Sequence, residues 1–214
     1  MRAVVYEDRR TAGRALAKAL GAYHGKRPLV LGIPRGGVIV AAEVAAALDG
    51  ELDVVVARKI GAPWHPEYAL GAVDPDGEVV LGPELSGAGE AAAALAREVA
   101  AARAEVERRL HCYRRGPEPL IQGRVVIVVD DGVATGLTAR AALGWVRRRR
   151  PARLVFGAPV GGPDQLAELA GWCDEIVCPL QPGDFAAVSR YYRRYPAVSD
   201  DEVLAALRGR GSGG

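Results

Sequence analysis

Cysteine, histidine, lysine and any excess of one charge are what this chain of 214 residues lacks. Its 28 basic residues face 26 acidic ones, a formal net charge of +2, and that balance argues against a polyanion-binding or membrane-surface role for the whole protein. The three cysteines, Cys112, Cys173 and Cys178, form no C-x-x-C pair and leave an odd count. That excludes a disulfide framework and reads as an intracellular chain with incidental buried thiols. His24, His65 and His111 are scattered without metal-ligand spacing. The opening MRAVVYEDRR has no apolar signal-peptide core, and no run approaches the ~18 apolar residues of a membrane span, so a cytoplasmic protein is expected. No G-x-x-x-x-G-K-[ST] is present, no G-x-G-x-x-G follows a strand, and no G-x-S-x-G elbow appears. Only Lys18, Lys26 and Lys59 among the basic residues are lysines, which makes each lysine position more informative than an arginine.

What is present is an ordinary globular composition, half hydrophobic and a quarter charged, on a chain long enough to bury a core without staples. Short apolar runs at Pro28–Ile33, Leu52–Ala57, Arg124–Val129, Arg153–Pro159 and Glu175–Cys178 alternate with helical stretches at Val38–Leu48, Leu137–Arg150 and from Pro163. Continuous β-branched runs belong to a parallel sheet covered on both faces, so the class is α/β, with five parallel strands and flanking helices. Two stretches interrupt the alternation. Residues 61–85 are rich in Gly and Pro, with a hairpin turn expected at Asp74-Pro75-Asp76-Gly77. A long helix follows from about Gly89 to Cys112, whose stripe Leu95, Val99, Ala102, Val106 and Leu110 serves either to pack on the body or to meet a second copy in a homodimer. Ser199-Asp200-Asp201-Glu202 is a capping box for a last helix, and Gly209–Gly214 reads as a disordered tail. The Arg147–Arg150 run suits a helix C-terminus better than a nucleic-acid patch.

The informative segment is Val125–Thr138, where five apolar residues lead into Asp130-Asp131-Gly132-Val133-Ala134-Thr135-Gly136-Leu137-Thr138. Backbone N–H groups of such a loop and the following helix N-terminus present partial positive charge to one phosphate. Thr135 and Thr138 add hydroxyls, while Gly132 and Gly136 let the backbone approach closely. Two carboxylates beside that seat would repel a phosphate, so they suit vicinal hydroxyls or the waters around a divalent cation. Arg35-Gly36-Gly37 after the first strand reads as a second anion loop or a tight turn, and Arg58-Lys59 as a strand-end anion contact or a solvated charge.

The segment resembles the signature of the type I phosphoribosyltransferases: an apolar strand, two acids and a small Thr-Gly-x-Thr loop. The resemblance implies that Asp130 and Asp131 hold the ribose of phosphoribosyl pyrophosphate (PRPP), that Gly132–Thr138 hold its 5′-phosphate, and that Arg35, Gly36, Gly37, Arg58 and Lys59 meet the pyrophosphate. Asp130, Asp131 and Lys59 would carry catalysis, with Mg²⁺ bound through PRPP near the two acids rather than in a protein cage. Trp64, His65, Glu67 and Tyr68 would sit on the family's mobile catalytic loop. The N-terminal helix and residues from about 180 to 208 would form a hood over the acceptor, with Phe185 as a stacking ring. An insertion over about 61–120 completes one domain spanning 1–208. The implied reaction transfers a phosphoribosyl group to a nitrogenous acceptor and releases pyrophosphate; the alternative is a regulator that senses PRPP without transfer. Ala134 stands where enzymes for 6-oxopurines usually carry an acid, which disfavours that acceptor class. The aromatic–basic Gln181–Tyr195 segment could also bind single-stranded nucleic acid, a reading the small net charge weighs against.

Overall fold

Unbroken apolar runs form the centre of the computed structural model, which describes residues 5–62, 65–82, 92–114 and 116–209, and all their side chains except those of 65–68 and 92–94. In chain order come α1 (Arg9–Ala19), β1 (Leu29–Gly32), α2 (Gly36–Ala47), β2 (Glu51–Val54), β3 (Arg58–Ala62), β4 (His65–Val73), β5 (Val79–Leu81) and α3 (Ala92–Tyr113). Then follow β6 (Val125–Val129), α4 (Leu137–Arg148), β7 (Arg153–Gly157), α5 (Pro163–Leu169), β8 (Glu175–Val177) and α6 (Asp200–Arg208). Short 3₁₀ turns lie at Gly21–Tyr23 and Val188–Tyr191.

Five strands run parallel in the order β2–β1–β6–β7–β8, as the apolar runs predict. Successive strand residues point to opposite faces, and both faces are buried. Leu29, Leu31, Val126, Val128, Leu154 and Phe156 pack with Leu143, Trp145 and Val146 of α4 and Leu166 and Leu169 of α5. Val30, Ile127, Val129 and Val155 pack with Leu16 and Leu20 of α1 and Val40, Ala41 and Val44 of α2. Each fully buried side chain of this kind contributes about 1.5–3 kcal/mol. The chain leaves β1 toward β2 on one side and β6 toward β7 on the other. The loops after β1 and β6 therefore share the point where the strand order reverses, the place where open α/β sheets bind ligands.

The second apolar run does not end at Arg58-Lys59 as the sequence suggests. Strand β2 stops at Val54, and Arg58 and Lys59 open β3, the first strand of a separate antiparallel sheet β3–β4–β5. Val55, Val56 and Ala57 stay buried while the chain crosses between sheets, so no turn residue marks the change. The expected hairpin is present: Asp74 accepts from the N–H groups of Asp76 and Glu78, both at 2.9 Å, and Gly77 takes a φ of +82°. The stripe of α3 packs on the body, with Ala102 and Val106 buried against Ile60 and Val73 of this sheet and Val203 of α6. The capping box forms too, with Glu202 N–H donating to Ser199 Oγ at 3.2 Å and Ser199 N–H to Glu202 Oε2 at 2.8 Å.

Three of the four arginines that close α4 are paired within the fold. Arg147 pairs with Asp174 at 2.8 Å, Arg148 with Asp74, and Arg149 with Asp76 at 3.0 Å, its guanidinium 3.6 Å from the Trp145 ring centre. The Trp145 indole also donates to Asp76 at 2.9 Å. The hairpin tip is thus fastened to the C-terminal end of α4, whose N-terminal end is the Thr-Gly loop.

Candidate functional site

Strand β6 delivers Asp130 and Asp131 to the reversal point, and the two carboxylates meet different surroundings. Asp130 Oδ1 accepts the Asp131 N–H at 2.8 Å. Burial pushes its carboxyl well above the usual range, and the neighbouring Asp131 charge pushes it further, with Arg9 opposing. Asp131 instead sits in a closed set of donors. Arg9 Nε donates to its Oδ2 at 2.6 Å and the Tyr195 hydroxyl to the same oxygen at 2.9 Å, while the Tyr192 hydroxyl donates to its main-chain oxygen at 2.6 Å. The Arg9 guanidinium lies 3.8 Å from the Tyr195 ring centre, and its Nη1 donates to Pro196 O at 2.7 Å. Burial pulls the Arg9 guanidinium down, yet Asp131's charge and hydrogen bond outweigh it and hold Arg9 above its usual value. Burial and then Asp131's charge both raise the hydroxyl pKa of Tyr192 and Tyr195.

The loop that follows leads into α4. Gly136 precedes α4 at φ +72° with no side-chain cap, a conformation that favours glycine and leaves the helix N-terminus open. Val133 N–H donates to Val160 O at 2.9 Å, which fastens the loop to the segment after β7. Gly132 is closely packed on its other side, where a Cβ would lie 2.5 Å from Val188 Cγ1. A cavity of about 230 Å³ opens beside the loop, lined by Lys59 and Ala69 with Asp130, Gly132, Val133, Ala134, Thr135, Gly136, Thr138 and Ala139. Lys59 of the antiparallel sheet and Asp130 of the parallel sheet therefore face one space. Asp131 does not line it.

The loop after β1 carries a cis Pro34–Arg35 peptide and starts α2. Gly36 is packed so closely that a Cβ would lie 1.9 Å from Asp131 Oδ2 and 2.7 Å from Arg9 Nε. Gly37 would meet Val129 O at 2.7 Å. Arg35 is exposed, with Nη1 3.9 Å from Asp200 Oδ1. Arg58 and Lys59 point opposite ways, as neighbours on a strand must. Arg58 turns from the cavity toward α3, where burial and the charges of Arg109 and Arg35 hold its guanidinium below the usual range, with Glu105 opposing.

Of the remaining sequence candidates, Phe185 stacks on Tyr191 with ring centres 5.7 Å apart and planes 2° apart, so one of its faces is taken. Trp64 lies outside the described residues; His65, Glu67 and Tyr68 lie on β4 with side chains outside the description. Arg193 and Arg194, two of the three arginines in the aromatic–basic segment, pair with Glu7, and Arg194 also with Asp8. Sequence reasoning missed Arg9, Tyr192 and Tyr195 as partners of Asp131. Arg9 and Asp131 are 122 positions apart, a separation no local pattern can bridge.

A family model described as a phosphoribosyl transferase domain matches residues 7–192. The chain is 43% identical over 205 residues to a Mycobacterium tuberculosis (strain H37Rv) protein provisionally named a phosphoribosyl transferase, covering 95% of this chain and 46% of that protein. The chain thus spans about half the length of the curated relatives it matches. The crystal structure of TT1426 from Thermus thermophilus is similar at 46% identity and a TM-score of 0.78, with 95% of this chain and 97% of that chain covered. The AQ2163 protein of Aquifex aeolicus, at 12% identity and a TM-score of 0.50 over 93% and 86% of the two chains, shares the fold.

Proposed function

The chain belongs to the phosphoribosyl transferase domain family, and from that premise we propose that it transfers a 5-phosphoribosyl group from PRPP to a nitrogenous acceptor and releases pyrophosphate. The observation that carries this reading is the 230 Å³ cavity in which Lys59 and Asp130 face the uncapped N-terminus of α4. The loop over Gly132–Thr138 takes the 5′-phosphate on the Thr135 and Thr138 hydroxyls and on its backbone N–H groups other than that of Val133, which Val160 O holds. Asp130 accepts from a ribose hydroxyl. Lys59, with the Arg35-Gly36-Gly37 loop, holds the pyrophosphate and offsets the negative charge that grows on it as the glycosidic bond breaks. The protein's part is to position the reactants and to place fixed charge where charge develops.

Mg²⁺ fits this arrangement as an ion carried by the pyrophosphate, because the cavity presents one carboxylate, Asp130, and one ammonium, Lys59, among its lining residues. When bound it neutralises pyrophosphate charge. Ala134 is exposed at the cavity rim, and its lack of an acid weighs against a 6-oxopurine acceptor.

The test is pyrophosphate release from PRPP and Mg²⁺ across a panel of purine and pyrimidine bases. Release with at least one acceptor, reduced about a hundredfold in Lys59→Ala, is expected. Tight PRPP binding without release on any acceptor would overturn the transferase reading in favour of a PRPP sensor.

A further inference from the structure

Asp131 is one of two adjacent acids at the strand tip, and one of its carboxylate oxygens, Oδ2, is already held. Arg9 Nε and the Tyr195 hydroxyl both donate to Oδ2, at 2.6 and 2.9 Å. That same oxygen lies where a Cβ on Gly36 would be, 1.9 Å away, with Arg9 Nε 2.7 Å from the same point. The Arg9–Asp131 pair is therefore the surface on which the loop after β1 rests. Asp131 and Arg9 are both about nine-tenths buried, and Arg9's second contact, Pro196 O, ties the C-terminal segment to the same point. Tyr192 bonds the Asp131 main chain, and its ring lies 4.9 Å from that of Tyr195.

We propose that Arg9 is a positioning residue that acts through Asp131: it holds the Asp131 carboxylate against Gly36 and sets the Arg35-Gly36-Gly37 loop for the pyrophosphate. This inference rests on the PRPP reading given above and divides its site into two halves. The pyrophosphate half depends on Arg9, through Asp131 and Gly36. The ribose 5-phosphate half depends on Asp130 and the loop over residues 132–138, with no hydrogen bond to Arg9, which reaches Asp130 through its charge alone.

Titration calorimetry of the full chain with three ligands, each with Mg²⁺, separates the halves: PRPP, inorganic pyrophosphate and ribose 5-phosphate. Arg9→Gln should weaken pyrophosphate and PRPP binding roughly tenfold, because a misplaced loop loses its aligned contacts, while ribose 5-phosphate binding stays within about twofold. Arg9→Lys, which keeps the charge but cannot reach Asp131 and Pro196 O together, should fall between. Tyr195→Phe removes one hydrogen bond to Asp131 and keeps the ring under Arg9, so it should repeat the same selectivity at about threefold even where Arg9→Gln does not fold. Equal loss for all three ligands, or loss confined to ribose 5-phosphate, would overturn the assignment while leaving the PRPP reading intact. Wild-type protein that binds none of the three would overturn that reading, and this inference with it.

Discussion

Two arginine–aspartate pairs fasten outlying segments to the parallel sheet, and they do so by different physics. Arg9–Asp131 ties α1 and the C-terminal segment to the tip of β6, and Arg148–Asp74 ties the β4–β5 hairpin to the end of α4. In the first pair both side chains are buried, 10% and 12% exposed; in the second Asp74 is fully buried while Arg148 is 47% exposed. Asp131's carboxylate depends on Arg9 and Tyr195 for the donors that replace water. Asp74 receives two backbone N–H bonds from its own turn, so its arginine is an addition to a group already satisfied. A buried pair is worth little as a pair yet much to each partner, because removing one strands the other. A half-exposed pair lacks that interdependence. The pair beside the cavity is thus the one in which each member needs the other.

Truncating each partner in turn tests that contrast. Arg9→Met leaves Asp131 buried and uncompensated and should lower unfolding free energy by about 3–5 kcal/mol in a denaturant titration. Adding Asp131→Asn to it should recover part of that loss, since the stranded charge is then gone. A simple sum of the two single losses would show that the pair is not interdependent. Next in size, Asp74→Ala should lose about 2–3 kcal/mol by leaving the turn's N–H groups without their buried acceptor. Arg148→Ala should lose under about 1 kcal/mol, because the arginine is half solvated and the turn keeps its own bonds. Equal losses for Asp74→Ala and Arg148→Ala would remove the distinction between the two clamps.

Much of the frame was legible in the sequence for a plain reason. Strands buried on both faces read as unbroken apolar runs, and the five runs became the five parallel strands. The loop over residues 132–138, the capping box at Ser199 and the turn at Asp74 were legible because their signals lie within a few residues. The antiparallel sheet was not. Val54 to Ala57 stay buried and β-branched or small while the chain changes sheets, so Arg58 and Lys59 looked like the end of a strand they do not belong to. Lys59 nevertheless faces the cavity, now from across the site rather than from a neighbouring strand tip. The division between Asp130 and Asp131 was invisible because it is made by Arg9 and Tyr195, residues of distant segments that only folding brings together.

The subtlest test concerns those two acids, identical in chemistry and adjacent in sequence. Arg9 compensates Asp131 directly, whereas burial and the Asp131 charge together lift the Asp130 carboxyl above its usual range. In the unfolded chain Asp130 gives up its proton near the ordinary value of about 4. In the folded chain it keeps the proton to a higher pH, so over that window the folded state binds more protons and stability falls as pH rises. Asp130→Asn cannot ionise and can still accept the Asp131 N–H through Oδ1, so it should lack this fall. Below the ordinary carboxylate range the two proteins should melt together. Above that range the variant's Tm should draw ahead of wild type as pH rises, and the gap should stop widening once pH passes the raised value. The change is expected to be the smallest of these effects, because Asp130 is only part-buried and lines the cavity. A gap that stays constant with pH, or that favours wild type as pH rises, would mean that Asp130 is as well compensated as its neighbour and that the two acids are not divided.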